Sequence, residues 1–371
     1  RLWVEPPEPR AARDLDPADP LLQQRVANPS PAWETDLGSS PLAYLGDHVV
    51  GGAALFPAAG HVAALLAASR ALERGNSLEG LRLDRALALT PTTRLRIDIA
   101  EDSGAAIVRS RMGPAAEWQQ QAAGRLGLSR SRRRTPIDLG ARLRAARRHL
   151  DAAAFYALLA ERGLAYGPAF RSVREIWLGE GEVTARLELP EGAPPAGRLH
   201  PVLLDGAFQA LAGVASAAAE KRGPLVPVSI EEVRLHGTIE TAAHVVGRLI
   251  EETPNSLTAT LALCDPDGEI LAEIEELRGQ RLPVAEADRL MQAHFRDTWE
   301  TAPVPHLERS AGQRWLLLDG GHSCAAALAA ELRGHGHGVA EGGLADFARL
   351  AAAAAPPDGI AWFAHAPETG D

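Results

Sequence analysis

The sequence predicts an α+β chain: two tandem units, each a curved antiparallel sheet around one buried helix, and then a shorter α/β segment. Three observations carry this. Two stretches rich in Ala and Leu all round, about 58–74 and 204–221, read as buried helices. Period-two strand segments follow or flank each of them. Beyond about residue 285 the pattern changes to a short apolar run with glycines and an Ala-rich helix after it, the start of a βαβ unit.

In chain order, residues 1–15 are proline-rich and charged and read as an inter-domain linker. Residues 16–130 form the first unit. A loop at Gly46 to Pro57 leads into its helix, and Leu95 to Ile99 and Ala106 to Arg109 alternate as strands. Residues 131–164 are linker and helix, with the helix near Ala152 to Arg162. Residues 165–284 form the second unit, with strands expected at Val183 to Leu189, Val228 to Leu235, His244 to Ile250, Leu257 to Leu263 and Ile270 to Leu277. Asp265-Pro266-Asp267-Gly268 turns the last two into a hairpin. A helix wrapped by a curved sheet is the hotdog arrangement, so the pair is a double hotdog. In residues 285–371, Arg314 to Asp319 reads as a buried parallel strand. Cys324 to Arg333 reads as a helix, and Gly338-Val339 and Gly359 to Phe363 as later strands.

Of the 371 residues 46 % are apolar and 23 % charged, which suits a folded core. A net charge of −10 argues against general binding of nucleic acid or anionic membrane. The one basic segment, Arg130 to Arg148, has eight arginines against Asp138 alone. It reads as a solvated linker and helix face, or as a docking patch for an acidic partner domain. Cys264 and Cys324 make no disulfide framework and no metal-ligand spacing, so a reducing, cytoplasmic setting is expected. No run approaches the ~20 apolar residues that span a bilayer. The first residue is Arg1 with no signal-peptide pattern behind it, which reads as a cut from a longer polypeptide.

Three motifs stand out. His48-Val49-Val50-Gly51-Gly52-Ala53-Ala54-Leu55-Phe56-Pro57 has the spacing H-x3-G-x4-P just before the first buried helix. Tyr166-Gly167-Pro168-Ala169-Phe170 lies between the units. His200-Pro201-Val202-Leu203-Leu204-Asp205-Gly206-Ala207-Phe208-Gln209 has the form H-P-x2-L-D-x3-Q and opens the second helix. In this order and on this plan they resemble the dehydratase domains of modular polyketide synthases, over about residues 15 to 285.

The resemblance implies removal of water from a 3-hydroxyacyl thioester held on an acyl carrier protein. The residue types suit that chemistry. An imidazole titrating near neutrality can take the α-proton, which points to His48. A carboxyl kept protonated by apolar surroundings can protonate the leaving hydroxyl. Asp205, among Leu203, Leu204, Ala207 and Phe208, has such surroundings. The resemblance further implies a Gly52 amide on the thioester oxygen, and Tyr166 and Gln209 orienting the acid. Pro57, Gly167, Pro168, Leu204 and Phe208 are expected as supporting residues. His200 carries no catalytic assignment, and half of its weight falls on a loop-structural role. Asp205 at a helix start also fits an N-cap.

The implied substrate arrives on a phosphopantetheine arm, with no metal or redox cofactor. Implied neighbours are an acyltransferase upstream and a ketoreductase downstream, and the family allows a homodimer. The same base and acid also suit a dehydratase-cyclase closing a pyran or furan ring, or a double-bond isomerase. A silent scaffold domain is the alternative from another class. Three positions depart from the pattern: Asp19-Pro20-Leu21-Leu22 replaces His-Pro-Leu-Leu, and His61 and Leu164 stand where relatives often have tyrosine. The C-terminal segment resembles the start of a ketoreductase structural region. Asp319-Gly320-Gly321-His322-Ser323-Cys324 lacks the full G-x-G-x-x-G phosphate cradle, so no nicotinamide binding is expected there.

Overall fold

The structure is a computed structural model. It describes residues 19–127, 134–194, 196–214, 224–281, 312, 314–319, 323–342 and 359–363. The expected linker at 1–15, the arginines at 130–133, the helix tail beyond 214, the 284/285 boundary and the Gly320–His322 turn lie outside these residues. Two compact units divide the chain, Arg1–Phe295 and Arg296–Asp371. Among the described residues no helix is long and apolar enough to cross a membrane.

In the first unit thirteen of the described strands form one sheet, antiparallel throughout. They are β1 (Gln24–Arg25), β2 (Ala32–Asp36), β5 (Ser77–Leu83), β6 (Thr93–Ile99), β7 (Ala105–Met112), β8 (Gln119–Gly127), β9 (Arg148–Asp151), β10 (Val173–Leu178), β11 (Glu182–Glu188), β12 (Leu225–Leu235), β13 (Ala242–Glu252), β14 (Ser256–Cys264) and β15 (Ile270–Arg281). Their order is β1-β2-β6-β7-β8-β5-β12-β15-β14-β13-β11-β10-β9. Two separate sheets were the expectation. They are fused because β5 and β12 present free edges to each other and pair, Leu81 opposite Ile230 and Leu78 opposite Val233. A small hairpin, β3 (Val49–Val50) with β4 (Ala53–Ala54), stands apart from this sheet.

Two helices occupy the hollows of the sheet. α1 (Ala58–Ala71) packs on β5 and β8, and α4 (Pro201–Val214) packs on β10, β11, β13 and β14. Each is buried nearly all round, as its composition predicts, and the two touch one another. α1 stops at Ala71, short of Arg74, because Glu73 takes a positive φ of 53°. α4 begins at Pro201, one turn before the expected Leu204. His200 starts it: its carbonyl accepts from Leu203 and Leu204, and its Nδ1 accepts the Val202 N–H at 3.2 Å. Proline suits the first helical position because it has no amide to strand. His200 Nε2–H donates to the Pro194 carbonyl at 2.9 Å. Acceptance at Nδ1 needs a neutral ring, and burial pushes the imidazole down to about 4.

Two short helices cross the linker, α2 (Leu139–Ala145) and α3 (Ala152–Glu161). The side chains of Asp138 and Asp151 cap them, each accepting the third following amide at 2.8 Å. Arginines of the basic segment meet the chain's own carboxylates: Arg134 with Glu273 at 2.9 Å, Arg142 with Glu182 at 2.7 Å, Arg147 with Glu180 at 2.6 Å.

Besides the β5–β12 pairing, the halves are tied next to His48. Asp47 accepts the Gly167 N–H on its main-chain oxygen and the Ala169 N–H on Oδ2, both at 2.8 Å. A Cβ on Gly167 would come within 2.5 Å of the Asp47 carboxyl, so only glycine allows this approach. Beside it, the Gly51 N–H donates to the Gly163 carbonyl at 2.9 Å and Val50 bridges to Leu164.

The second unit has three parallel strands in the order β17-β16-β18. They are β16 (Arg314–Asp319), β17 (Gly338–Gly342) and β18 (Gly359–Phe363), and α5 (Ser323–Gly334) packs on β16 and β17.

Two predictions follow from this packing. Asp47→Ala removes the Ala169 acceptor and lowers unfolding free energy by about 1–2 kcal/mol in urea titration. Gly167→Ala is expected to cost at least as much. Next, burial also pushes His61 down to about 4 from 6.5. A histidine with a depressed folded-state pKa contributes stability that is full above its unfolded value and is lost as pH falls. His61 and His200 thus weaken the fold between about pH 6.5 and 4, by roughly 3 kcal/mol each at the lower end. Unfolding curves across this range should show the loss, and His200→Asn should flatten it; an unchanged slope in that variant would contradict the neutral-cap reading.

Candidate functional site

His48 follows the 3-10 stretch Ser40–Asp47 and lies at the mouth of the β3–β4 hairpin. Its Nδ1 is 2.9 Å from the Leu55 carbonyl. A carbonyl only accepts, so Nδ1 carries the hydrogen and Nε2 of the neutral ring is left with its lone pair. Nε2 lies 3.5 Å from Asp205 Oδ1, and both residues are over nine-tenths buried. The two residues are 157 positions apart in the chain. The Asp47 clamp, one residue before His48, brings the first half to the second.

Asp205 is in the second turn of α4 and is not its cap. Asp205, Phe208, Gln209 and Ala212 recur at helical spacing, and all four line one cavity of about 430 Å³. His48, Tyr166 and His61 share its wall. Gln209 Nε2 donates to Asp205 Oδ2 at 2.8 Å and to the Phe170 carbonyl at 3.0 Å. Its Oε1 accepts from the Tyr156 hydroxyl at 3.1 Å. That hydroxyl in turn accepts the Val173 N–H at 3.0 Å.

Tyr156 was missed in the sequence. It belongs to none of the three motifs, and its position on α3 reads as ordinary core. Asp47 was missed too, since an aspartate before a histidine in a loop looks solvated. Burial pushes the Tyr156 phenol up, so it stays a hydroxyl. The same holds for Tyr166, where the nearby Asp205 carboxyl adds to burial. Tyr166 was expected to orient the acid. The hydrogen bond to the carboxyl comes instead from Gln209, and the Tyr166 ring packs 5.5 Å from the His48 ring. Phe170 packs on the other side of His48 at 5.2 Å.

Several expected residues support the site from outside the cavity wall. Gly52 is exposed at the β3–β4 turn, where Gly51 and Gly52 take φ of 58° and 83°, the positive values that a two-residue hairpin turn requires. Gly52 is not among the residues that line the cavity. Ala58, the first residue of α1, does line the cavity. Pro57 precedes α1 and accepts the Gly60 amide. Gly167 and Pro168 shape the clamp. Leu204 is fully buried in the core, one position off the cavity-facing stripe of α4. Among the described residues no group of three or more His, Cys, Asp or Glu could hold a metal.

Known proteins resemble this chain in sequence and in fold. Residues 19–111 match the family described as polyketide synthase dehydratase domain, and residues 134–289 match the polyketide synthase dehydratase N-terminal domain. The phthioceranic/hydroxyphthioceranic acid synthase of Mycobacterium tuberculosis is 25 % identical over 333 residues, 83 % of this chain and 15 % of that protein. A phenolphthiocerol synthesis polyketide synthase of type I from Mycobacterium marinum is 32 % identical over 227 residues, 59 % of this chain and 10 % of that protein. The chain thus spans a small part of the relatives it matches. Among solved structures, the dehydratase domain of a mycocerosic acid synthase-like polyketide synthase is 23 % identical. It superposes with a TM-score of 0.64 over 72 % of this chain and 97 % of its own. The dehydratase domain from the CurK module of the curacin polyketide synthase is 26 % identical, with a TM-score of 0.62 over 71 % and 98 %. Through residues 19–111 and 134–289, which hold both halves of the buried His48–Asp205 pair, the chain belongs to the polyketide synthase dehydratase family.

Proposed function

We propose that this chain removes water from a 3-hydroxyacyl thioester, delivered on the phosphopantetheine arm of an acyl carrier protein, and leaves a 2-enoyl thioester. The observation that carries the reading is the 3.5 Å approach of His48 Nε2 to Asp205 Oδ1 in a largely apolar cavity. His48 Nε2 takes the proton from C2. The C2–H electron pair becomes the double bond, the C3–O bond breaks, and the Asp205 proton goes to the departing hydroxyl to make water. Imidazolium and carboxylate are then left facing each other, and passage of one proton between them restores the starting pair. Because both groups sit together, they address one face of the substrate.

Hydrogen-bond directions support one position for the acidic proton. The Val173 amide can only donate, so the Tyr156 hydroxyl accepts there and donates onward to Gln209 Oε1. That turns Gln209 Nε2 toward Asp205 Oδ2. With Oδ2 occupied as an acceptor, a proton on Asp205 belongs on Oδ1, the oxygen facing His48. Negative charge on the thioester oxygen would meet the N-terminal end of α1 at Ala58.

A cavity of about 430 Å³ is room for an acyl chain, which favours catalysis over the scaffold alternative. Ring closure and double-bond shift would use the same pair, and no further residue favours them. The β16–α5–β17–β18 segment is assigned to the start of a ketoreductase structural region, on the support of its parallel order and strand–helix–strand plan. An acyltransferase upstream, a ketoreductase downstream, a paired domain and a cytoplasmic setting complete the proposal.

His48→Ala and Asp205→Asn should each lower kcat by roughly 10²–10⁴-fold toward synthetic 3-hydroxyacyl pantetheine thioesters, followed by mass. Parent-like turnover in both variants would sink the assignment. Substrates with a distal hydroxyl belong in the same assay, where a cyclic product made only from them would replace dehydration with cyclisation. The relay makes a separate claim. Tyr156→Phe should lower kcat with KM little changed, and should have little further effect once Gln209→Leu is present. Additive losses in that double-mutant cycle would mean Tyr156 acts only through packing.

A further inference from the structure

His48, Asp205, Gln209 and Tyr156 account for the chemistry, and of the other polar residues in the cavity wall, Asp84, Arg85, Tyr166 and His61, the last is a buried imidazole on α1. His61 lies one turn into α1, is 2 % exposed, and lines the same cavity as the His48–Asp205 pair. Its Nδ1 is sealed from the cavity and has no hydrogen-bond partner among the described residues, which leaves Nε2 as the ring nitrogen that can meet a ligand. The ring is held edge-to-face against Phe56, with centroids 4.8 Å apart and planes at 89°. Burial pushes this imidazole down to about 4, so near neutrality it offers one N–H donor and one nitrogen acceptor and no charge. It is therefore poorly suited to proton transfer and well suited to a neutral hydrogen bond.

An alkyl chain filling the cavity would displace water from this wall and supply nothing to replace it. A chain carrying an oxygen would bring its own partner. Leaving a buried polar group unmet is costlier than a made bond is favourable, so such a residue discriminates mainly by rejecting the wrong chain.

We propose that His61 is a specificity-determining residue that hydrogen-bonds a hydroxyl or keto oxygen carried by the acyl chain beyond C3. This rests on the dehydration reading above and narrows it to oxygenated acyl substrates.

The test is a competition between 3-hydroxyhexanoyl and 3,5-dihydroxyhexanoyl pantetheine thioesters, with the full chain and its His61→Leu and His61→Asn variants. The ratio of kcat/KM values is read for each. The parent should favour the dihydroxy substrate. His61→Leu should lower that ratio roughly tenfold, chiefly by speeding the plain chain, and His61→Asn, which keeps a donor and an acceptor, should hold more of it. A parent with no preference overturns the proposal, whatever the variants do. So does an unchanged ratio in His61→Leu, or an equal loss on both substrates, which would place the contact on the thioester or the pantetheine amides. If the parent dehydrates neither substrate nor any other 3-hydroxyacyl thioester, the failure belongs to the dehydration reading and not to His61.

Discussion

The site depends on one aspartate that does no chemistry. Asp47 holds the Gly167–Ala169 turn of the second half with its main-chain oxygen and its carboxylate. The next residue is His48. Each hotdog buries its own helix, but His48 comes from one half and Asp205 from the other. A contact one residue from the base fixes its position relative to α4 far better than a distant contact could. The Gly51–Gly163 and Val50–Leu164 contacts hold the hairpin on the far side of the imidazole. His48 is thus gripped on both sides, and its ring is further limited by Tyr166, Phe170 and the Leu55 carbonyl.

Inside this frame the polar groups form a line with a direction. It begins at a backbone donor, Val173 N–H, and ends at a backbone acceptor, Leu55 C=O. Neither end can reverse. Each group between them that can both donate and accept is therefore oriented by its neighbours, in surroundings where an unmet donor is expensive. Such a line sets proton positions without an added charge, which would be costly to bury. His200 follows the same logic one turn away, accepting an amide and donating to a carbonyl as a neutral ring.

Some motif residues lie away from the cavity wall for reasons tied to geometry. Gly52 sits exposed on the two-residue turn that needs both glycines. Leu204 reads as a neighbour of Asp205, yet adjacent helical residues diverge by about 100°, and it enters the core. Tyr166 belongs to a conspicuous motif and Tyr156 to none. The hydrogen-bonded role falls to Tyr156 because α3 lies against α4 and β10, a relation that no spacing along the chain encodes.

What the sequence determined by itself was local or periodic. Ala- and Leu-rich stretches become buried helices, alternating segments become strands, Asp-Pro-Asp-Gly becomes a turn, and the motif residues His48, Asp205 and Gln209 stand out by type and spacing. These follow from short-range sterics and burial, which a linear reading can follow. The tertiary structure alone decided that the two sheets fuse through β5 and β12, that Asp47 joins the halves, and which oxygen of Asp205 faces the imidazole. Those outcomes depend on contacts between residues up to 157 positions apart. Such contacts form only when burial of both helices brings the segments together, so no local pattern announces them.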